Sequence, residues 1–278
     1  MRFHSIRRSS ALIAVLFLGG CSQLKLGYGF LDTFIEREFN KYFDLNTTQS
    51  SELEDFADTY KVWHKGAMVP KYAKLLRREI KIHETGAFSR ATFDVTRKDV
   101  DILYRRTVRP VIPQVLSFLK AQDETQLQAL VRKSKERVEE AREEAKERTL
   151  DKSLAKLEEN FAELIGELTE DQKAVIREKA TPFFDGSTSY LDERVRRNEE
   201  LIALLRSKKH KEAERFMTAW WLEPLTISPP PYRARMEKML ATIDDIIFEV
   251  LARMTPTQRE QLVSTLKDYA EDLEAISS

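Results

Sequence analysis

Apolar residues recur every three or four positions along most of the chain, with charged and polar residues between them. This spacing puts the apolar side chains on one face of an α-helix, whereas a half-buried strand would alternate strictly. Two of the stripes are Leu31, Phe34, Ile35, Phe39 and Tyr42, and Met236, Leu240, Ile243, Ile247 and Leu251. The pattern predicts an all-α protein, an elongated bundle of roughly nine or ten amphipathic helices.

Four short stretches carry the signature of a helix start. Each has Thr, Asn or Asp followed three residues later by Gln: LNTTQ (45–49), QDETQ (122–126), LTEDQ (168–172) and MTPTQ (254–258). Such a pair can form a capping box, worth ~1 kcal/mol, and an apolar residue before the cap can pack onto the helix that follows. The two clearest candidates comprise Leu168, Thr169 and Gln172, and Met254, Thr255 and Gln258.

The segment 123–166 is the most polar part of the chain. Between Arg132 and Arg148 its charges alternate in sign at i to i+4 spacing, which is typical of a solvated helix. The segment is predicted as one long charged helix, or as two with a kink near Thr149. It links an N-terminal half (21–122) to a C-terminal half (167–278). The later stretch TISPPPY (226–232) is expected to be non-helical because it holds three consecutive prolines.

The N-terminus indicates a lipoprotein. Residues 1–20 have arginines followed by a short apolar run, as in a secretory signal peptide, and LGGC (18–21) resembles a bacterial lipobox. The resemblance implies cleavage before Cys21 and lipidation of that residue, with Ser22 favouring the outer membrane. An ordinary signal peptide with an incidental cysteine is the alternative. The expected location is the periplasmic face of the bacterial outer membrane, with the lipid holding the chain at the bilayer.

Composition and charge narrow the range of possible partners and chemical activities. The 46 basic and 46 acidic residues balance, and removal of the three signal-peptide arginines leaves a formal charge of −3, so nucleic acid is not an expected partner. Cys21 is the only cysteine, so lipidation would leave none for a disulfide or a thiolate. Glu79 and His83 are four residues apart and could share a metal, but His83 also lies on an apolar stripe. We expect no catalytic residues, no metal and no cofactor.

Adjacent tryptophans are the strongest candidates for contact with a partner protein. Trp220 and Trp221 cannot both point into one helical core, and an exposed tryptophan is a common binding anchor. The alternative is that two helices bury one tryptophan each.

Several segments resemble known families. CSQLKLGY, VWHKGAMVPKYAKLL and ELIGELTEDQ are similar to motifs of a proteobacterial lipoprotein family of unknown function. The Leu-Thr-x-x-Gln stretches resemble those of the periplasmic Spy and CpxP proteins, which are all-helical envelope-stress proteins. The second resemblance implies a chaperone-like or stress-related role.

The sequence therefore predicts a non-enzymatic lipoprotein that binds proteins, including partly unfolded ones, along its helical surface. The alternative is a specific scaffold or adaptor for an envelope assembly. A third hypothesis, an enzyme acting on envelope material, would require a concave pocket where acidic residues converge.

Overall fold

The computed structural model describes residues 21–184 and 188–278. The side chains of Cys21, Ser22, Gln23 and Leu26 lie outside what it describes, as does the predicted signal peptide, residues 1–20.

The described residues form α-helices and one short 3₁₀ turn, and no strand occurs among them, which confirms the all-α prediction. The thirteen helices are α1 (Cys21–Gly29), α2 (Leu31–Asn40), α3 (Thr47–Ala67), α4 (Val69–Glu84), α5 (Arg90–Val108), α6 (Val111–Lys120), α7 (Glu124–Lys146), α8 (Leu150–Ile165), α9 (Glu170–Ala180), α10 (Ser189–Arg206), α11 (His210–Leu222), α12 (Pro230–Ala252) and α13 (Pro256–Ser277).

This number exceeds the expected nine or ten because several helices are separated by very short breaks. A single residue, Met68, separates α3 from α4, and Phe30 alone separates α1 from α2. Pro70 lies in the first turn of α4, and Pro110 is the N-cap of α6. Proline has no N–H to donate, so these positions suit the start of a new helix better than the interior of an old one.

The charged segment forms two helices, the second of the two predicted alternatives. Helix α7 ends at Lys146 and α8 begins at Leu150. Thr149 caps α8, since its side chain accepts a hydrogen bond from the backbone N–H of Lys152 at 3.2 Å.

The last three residues of the proline-rich stretch 226–232 are helical, although the whole stretch was expected to be non-helical. Helix α12 begins at Pro230, so Pro230, Pro231 and Tyr232 belong to it. Only 226–229 of the stretch lie in the connector between α11 and α12, which spans 223–229. The expectation of a fully non-helical stretch was wrong because the first N–H groups of a helix have no intrahelical partner. Prolines are tolerated there.

Apolar side chains form two buried clusters. Core 1 is built from α4, α8, α9, α12 and α13, and core 2 from α6, α7, α10 and α11. Both cores therefore contain helices from before and after the charged segment. Among the described residues, those of the two cores and the partly buried ones packed against them all lie at or after Leu24, so a chain starting at residue 22 retains every core residue that the structure describes.

The most extensive contact between two helices joins α4 to α13, the last helix of the chain. Two ion pairs, about two helical turns apart, join the helices: Arg77 to Glu274 at 2.7 Å and Lys267 to Glu84 at 2.7 Å. The residue numbers run in opposite directions, so the helices are antiparallel. Among the described residues, no helix combines the length and the apolar character needed to cross a bilayer.

Candidate functional site

The predicted capping residues have the geometry of capping boxes. The backbone N–H of Thr169 donates to Gln172 Oε1 at 2.9 Å, and that of Gln172 donates to Thr169 Oγ1 at 3.3 Å. The same pair of bonds joins Thr255 and Gln258, at 3.0 and 3.1 Å. These bonds give partners to N–H groups that would otherwise be unpaired at the starts of α9 and α13.

The apolar residues that precede the two caps are part of core 1. Leu168 and Met254 are both buried there. They anchor the two helix starts to the same set of apolar side chains, so the starts of α9 and α13 are held near each other.

The two glutamines also bond to each other. Gln172 Nε2 donates to Gln258 Oε1 at 3.0 Å, and Gln258 Nε2 donates to Gln172 Oε1 at 2.9 Å. Gln258 Nε2 also donates to the backbone oxygen of Glu167 at 2.7 Å. The side chains are only 0 % and 5 % exposed, so the amide pair satisfies polar groups that water cannot reach.

The first half of the chain repeats this arrangement. Gln126 Nε2 donates to Gln49 Oε1 at 2.8 Å and to the backbone oxygen of Asp44 at 3.0 Å. Both glutamines belong to capping boxes, with Asn46 and Asp123 as the N-caps. Asp44 lies two residues before its cap, as Glu167 does, so the two pairs share one glutamine–glutamine bond and one bond to a backbone oxygen; the Gln172–Gln258 pair has a second, reciprocal bond. The sequence shows the four motifs, but it does not show that they meet in pairs.

Trp220 and Trp221, the predicted partner-binding residues, are partly buried against core 2. The ring of Trp220 lies edge-on to Phe216 with centroids 6.1 Å apart, and the backbone oxygen of Trp221 accepts a hydrogen bond from the Tyr104 hydroxyl at 3.0 Å. The pair is therefore fixed to the body of the protein and part of each ring reaches solvent. Their binding role stays a prediction.

A hydrogen-bonded aromatic cluster joins the ends of α1, α3, α4 and α5, and it includes His64 and Tyr72 of the segment VWHKGAMVPKYAKLL. His64 Nδ1 lies 3.0 Å from the Tyr28 hydroxyl, and His64 Nε2 lies 3.3 Å from the Tyr72 hydroxyl. The Tyr72 hydroxyl is hydrogen-bonded to Thr107 Oγ1, and the Tyr60 hydroxyl donates to the Thr107 backbone oxygen at 3.0 Å.

Burial sets the protonation states in this cluster. Desolvation lowers the pKa of His64 to about 4 and raises the pKa of Tyr28 to about 12. At neutral pH the imidazole and the phenol are both uncharged, so the cluster consists of neutral hydrogen bonds.

Beside this cluster lies an open cavity of about 450 Å³ between α3, α4 and α5. Its apolar wall consists of Trp63, Ala67, Met68, Ile102 and Pro110. Trp63 connects the cavity to the cluster, since its ring centroid lies 5.4 Å from that of Tyr60.

The polar residues of the cavity are all basic: Lys71, Arg105, Arg106 and Arg109. Arg105 is neutralised by Asp101 at 2.7 Å and by Glu223 at 3.0 Å. Within the described part of the chain, no carboxylate lies within 4.0 Å of the cationic groups of the other three. The cavity therefore has an apolar wall and an uncompensated positive rim.

His83 and Glu79 take separate partners. The His83 ring stacks on Phe88 with centroids 4.9 Å apart, and Glu79 Oε1 accepts from Thr96 Oγ1 at 2.6 Å. In residues 21–184 and 188–278, no group of three or more His, Cys, Asp or Glu side chains is arranged to hold a metal ion.

A family model matches residues 41–233, more than two thirds of the chain, and is described as a family of unknown function, DUF6279. The match includes the whole cavity, the glutamine pair of the first half, and Trp220 and Trp221. Neither a curated protein nor a solved structure matches the chain significantly. The chain therefore belongs to the DUF6279 family.

Proposed function

We propose that this protein is a lipoprotein, anchored through Cys21 to the periplasmic face of the outer membrane, that binds other proteins on its helical surface without catalysing a reaction. Its clients include partly unfolded chains. The observation that carries the proposal is an exposed apolar patch close to the predicted anchor.

The patch comprises the exposed side chains of Phe30 and Phe34, and Val62 is exposed on α3, the helix that packs against α2. These side chains are 65 %, 44 % and 74 % exposed. Phe30 and Phe34 are one helical turn apart and share a face. Lys61, the neighbour of Val62, donates to the Gly29 backbone oxygen at 2.6 Å, which brings the start of α2 against α3. Exposed aromatic residues of this kind are typical of surfaces that contact other proteins.

Helix α1 joins the predicted anchor directly to the folded body. Leu24 and Tyr28 pack against core 1, and Lys25 Nζ lies 3.1 Å from the buried carboxylate of Asp272 on α13. A lipid on Cys21 would therefore hold the patch close to the bilayer, where newly exported chains pass.

The experiment is a test of aggregation suppression with a chain starting at residue 22. We expect stoichiometric protein to suppress aggregation of a denatured client, and Phe30→Ser/Phe34→Ser to lose most of this effect. Val95→Ser removes an exposed apolar side chain from α5 and serves as the control. Absence of suppression by the unmodified chain would refute the chaperone-like role.

A specific scaffold is the second candidate. Trp220 and Trp221 are held by Phe216 and Tyr104, and a rigid surface suits one complementary partner better than many. In-cell photocrosslinking from positions 220 and 221 separates the two roles. One dominant crosslinked protein, without aggregation suppression, supports the scaffold, whereas many crosslinked proteins support the broader binding role.

A further inference from the structure

The cavity beside Trp63 combines two properties that a ligand must match. Its rim carries Lys71, Arg106 and Arg109 without carboxylate partners in the described residues, and its wall is apolar. A purely apolar ligand would leave the three cations without an anionic partner. A bare inorganic anion would leave the apolar wall in contact with water. The matching ligand has an anionic group attached to an apolar body.

The position of Lys71 increases the local positive potential. It lies in the first turn of α4, where the helix dipole already contributes partial positive charge, and that turn contains no acidic residue. Arg106 and Arg109 approach from the end of α5. A phosphate can take hydrogen bonds from both guanidinium groups and an ion pair from the ammonium group.

The apolar wall is suited to the carbon skeleton next to such a phosphate. Ile102 is exposed although it lies in a well-formed helix, and Trp63 presents part of its ring to the cavity. The volume of about 450 Å³ fits a headgroup and the first carbons of its chains, within the ~300–1,000 Å³ usual for ligand pockets.

The cavity is held in shape by the aromatic cluster behind it. Tyr72 on α4 and Tyr60 on α3 both bond to Thr107, which lies between Arg106 and Arg109 on the rim. These bonds fix the three helix ends that form the site, so binding would not have to order them.

We propose that this cavity binds the phosphate headgroup of an anionic phospholipid, with the adjoining apolar carbons against Trp63 and Ile102. The site lies near the membrane if Cys21 is acylated, because Tyr28, hydrogen-bonded to His64, is only about 10 Å along α1 from Cys21. Binding itself requires no acylation. The proposal therefore goes beyond the protein-binding role, and either can fail alone.

The test is calorimetric titration of the chain starting at residue 22 with monomeric short-chain lipids. We expect dihexanoyl phosphatidate to bind at least about tenfold more tightly than dihexanoyl phosphatidylcholine or inorganic phosphate. Arg106→Gln/Arg109→Gln should weaken phosphatidate binding by about tenfold or more. Lys135→Gln/Arg148→Gln makes the same change in net charge at exposed positions elsewhere and should stay within about twofold of the unmodified chain.

Three results would overturn the proposal. Equal affinity for phosphatidate and phosphatidylcholine would show a lipid site that does not select an anionic headgroup. Equal affinity for phosphatidate and inorganic phosphate would show an anion site that does not recognise lipid. A double Arg variant that binds as tightly as the control variant would place the lipid elsewhere. If the double variant does not fold, the single exposed substitution Lys71→Gln takes its place, with about a threefold loss expected.

Discussion

The side chains of Gln172 and Gln258 exchange hydrogen bonds across the interior of the protein, at 3.0 and 2.9 Å. Each amide oxygen also accepts from the backbone N–H of its own N-cap residue. Each glutamine thus caps the start of its own helix and also joins that helix to a second one. The motif that reads as a local signal in the sequence is a tertiary contact in the structure.

The buried glutamine pair should contribute more to stability than the more exposed one. Gln172→Ala leaves the Thr169 N–H unpaired in the interior and removes both hydrogen bonds between Gln172 and Gln258, so we expect a loss of about 3 kcal/mol. Gln126→Ala, at a partly exposed position, should cost about 1 kcal/mol. Chemical denaturation measures both values.

A double-mutant cycle tests whether Gln172 and Gln258 act as a pair. The double substitution to Ala should cost less than the sum of the two single substitutions, by about 1 kcal/mol or more. Strictly additive losses would mean that each glutamine acts only as a local cap.

Glu193 should be essential to the connector before α12. Its carboxylate accepts from Arg197 Nε at 2.7 Å and from Ser228 Oγ at 3.0 Å, and all three residues are buried. Burial alone would raise the pKa of Glu193, but hydrogen bonds from Arg196, Arg197 and Ser228 lower it. Glu193→Gln leaves a buried guanidinium without its counter-charge and should cost about 3 kcal/mol.

Glu200→Gln is the matched control for this change. Glu200 accepts from Arg196 Nη1 at 2.6 Å on the same helix, but its side chain is largely solvated. We expect a change of about 0.5 kcal/mol or less. Equal losses in the two variants would contradict a special role for the buried network.

His83 should make the fold less stable in acid. Burial, with a smaller contribution from the charge of Arg259, lowers the pKa of His83 to about 4, against an ordinary value of 6.5. As the pH falls from 6.5 to 4, the unfolded chain binds a proton that the folded chain does not. The free energy of unfolding therefore decreases in this window, by roughly 3 kcal/mol from His83.

The variant His83→Phe keeps a ring against Phe88 and removes the titrating group. Its free energy of unfolding should depend less steeply on pH between 6.5 and 4 than that of the unmodified chain. Superimposable curves for the unmodified chain and His83→Phe would show that His83 is not the sensor.

Acylation of Cys21 is tested by mass spectrometry of the protein purified from bacterial membranes. We expect the mature N-terminal peptide to begin at Cys21 and to carry lipid. Cys21→Ala should accumulate as the uncleaved precursor. An unmodified terminus at another residue would exclude the proposed anchor.

The helical fold could be predicted because the sequence features that specify helices are local. Apolar spacing and the capping residues each lie within a few positions of the structure that they specify. The pairing of Gln49 with Gln126 could not be predicted, since these residues are 77 positions apart and nothing local distinguishes partners. The cavity was missed for a related reason: its cations at Lys71 and Arg106 come from different helices and become one site only after packing.

The aromatic cluster could be predicted only in part. Trp63, His64 and Tyr72 belong to one short segment, VWHKGAMVPKYAKLL (62–76), that lies within the family match. The hydrogen bonds of His64 to Tyr28 and Tyr72 depend on four helix ends meeting, which no spacing rule specifies.

The pairing of α4 with α13 has a consequence for how the chain acquires its structure. Helix α13 is synthesised after the other twelve helices that the structure describes, and until it emerges α4 lacks its principal neighbour and core 1 stays incomplete. The apolar face of α4 is therefore exposed to solvent until α13 is synthesised, and a product truncated before α13 would leave that face uncovered.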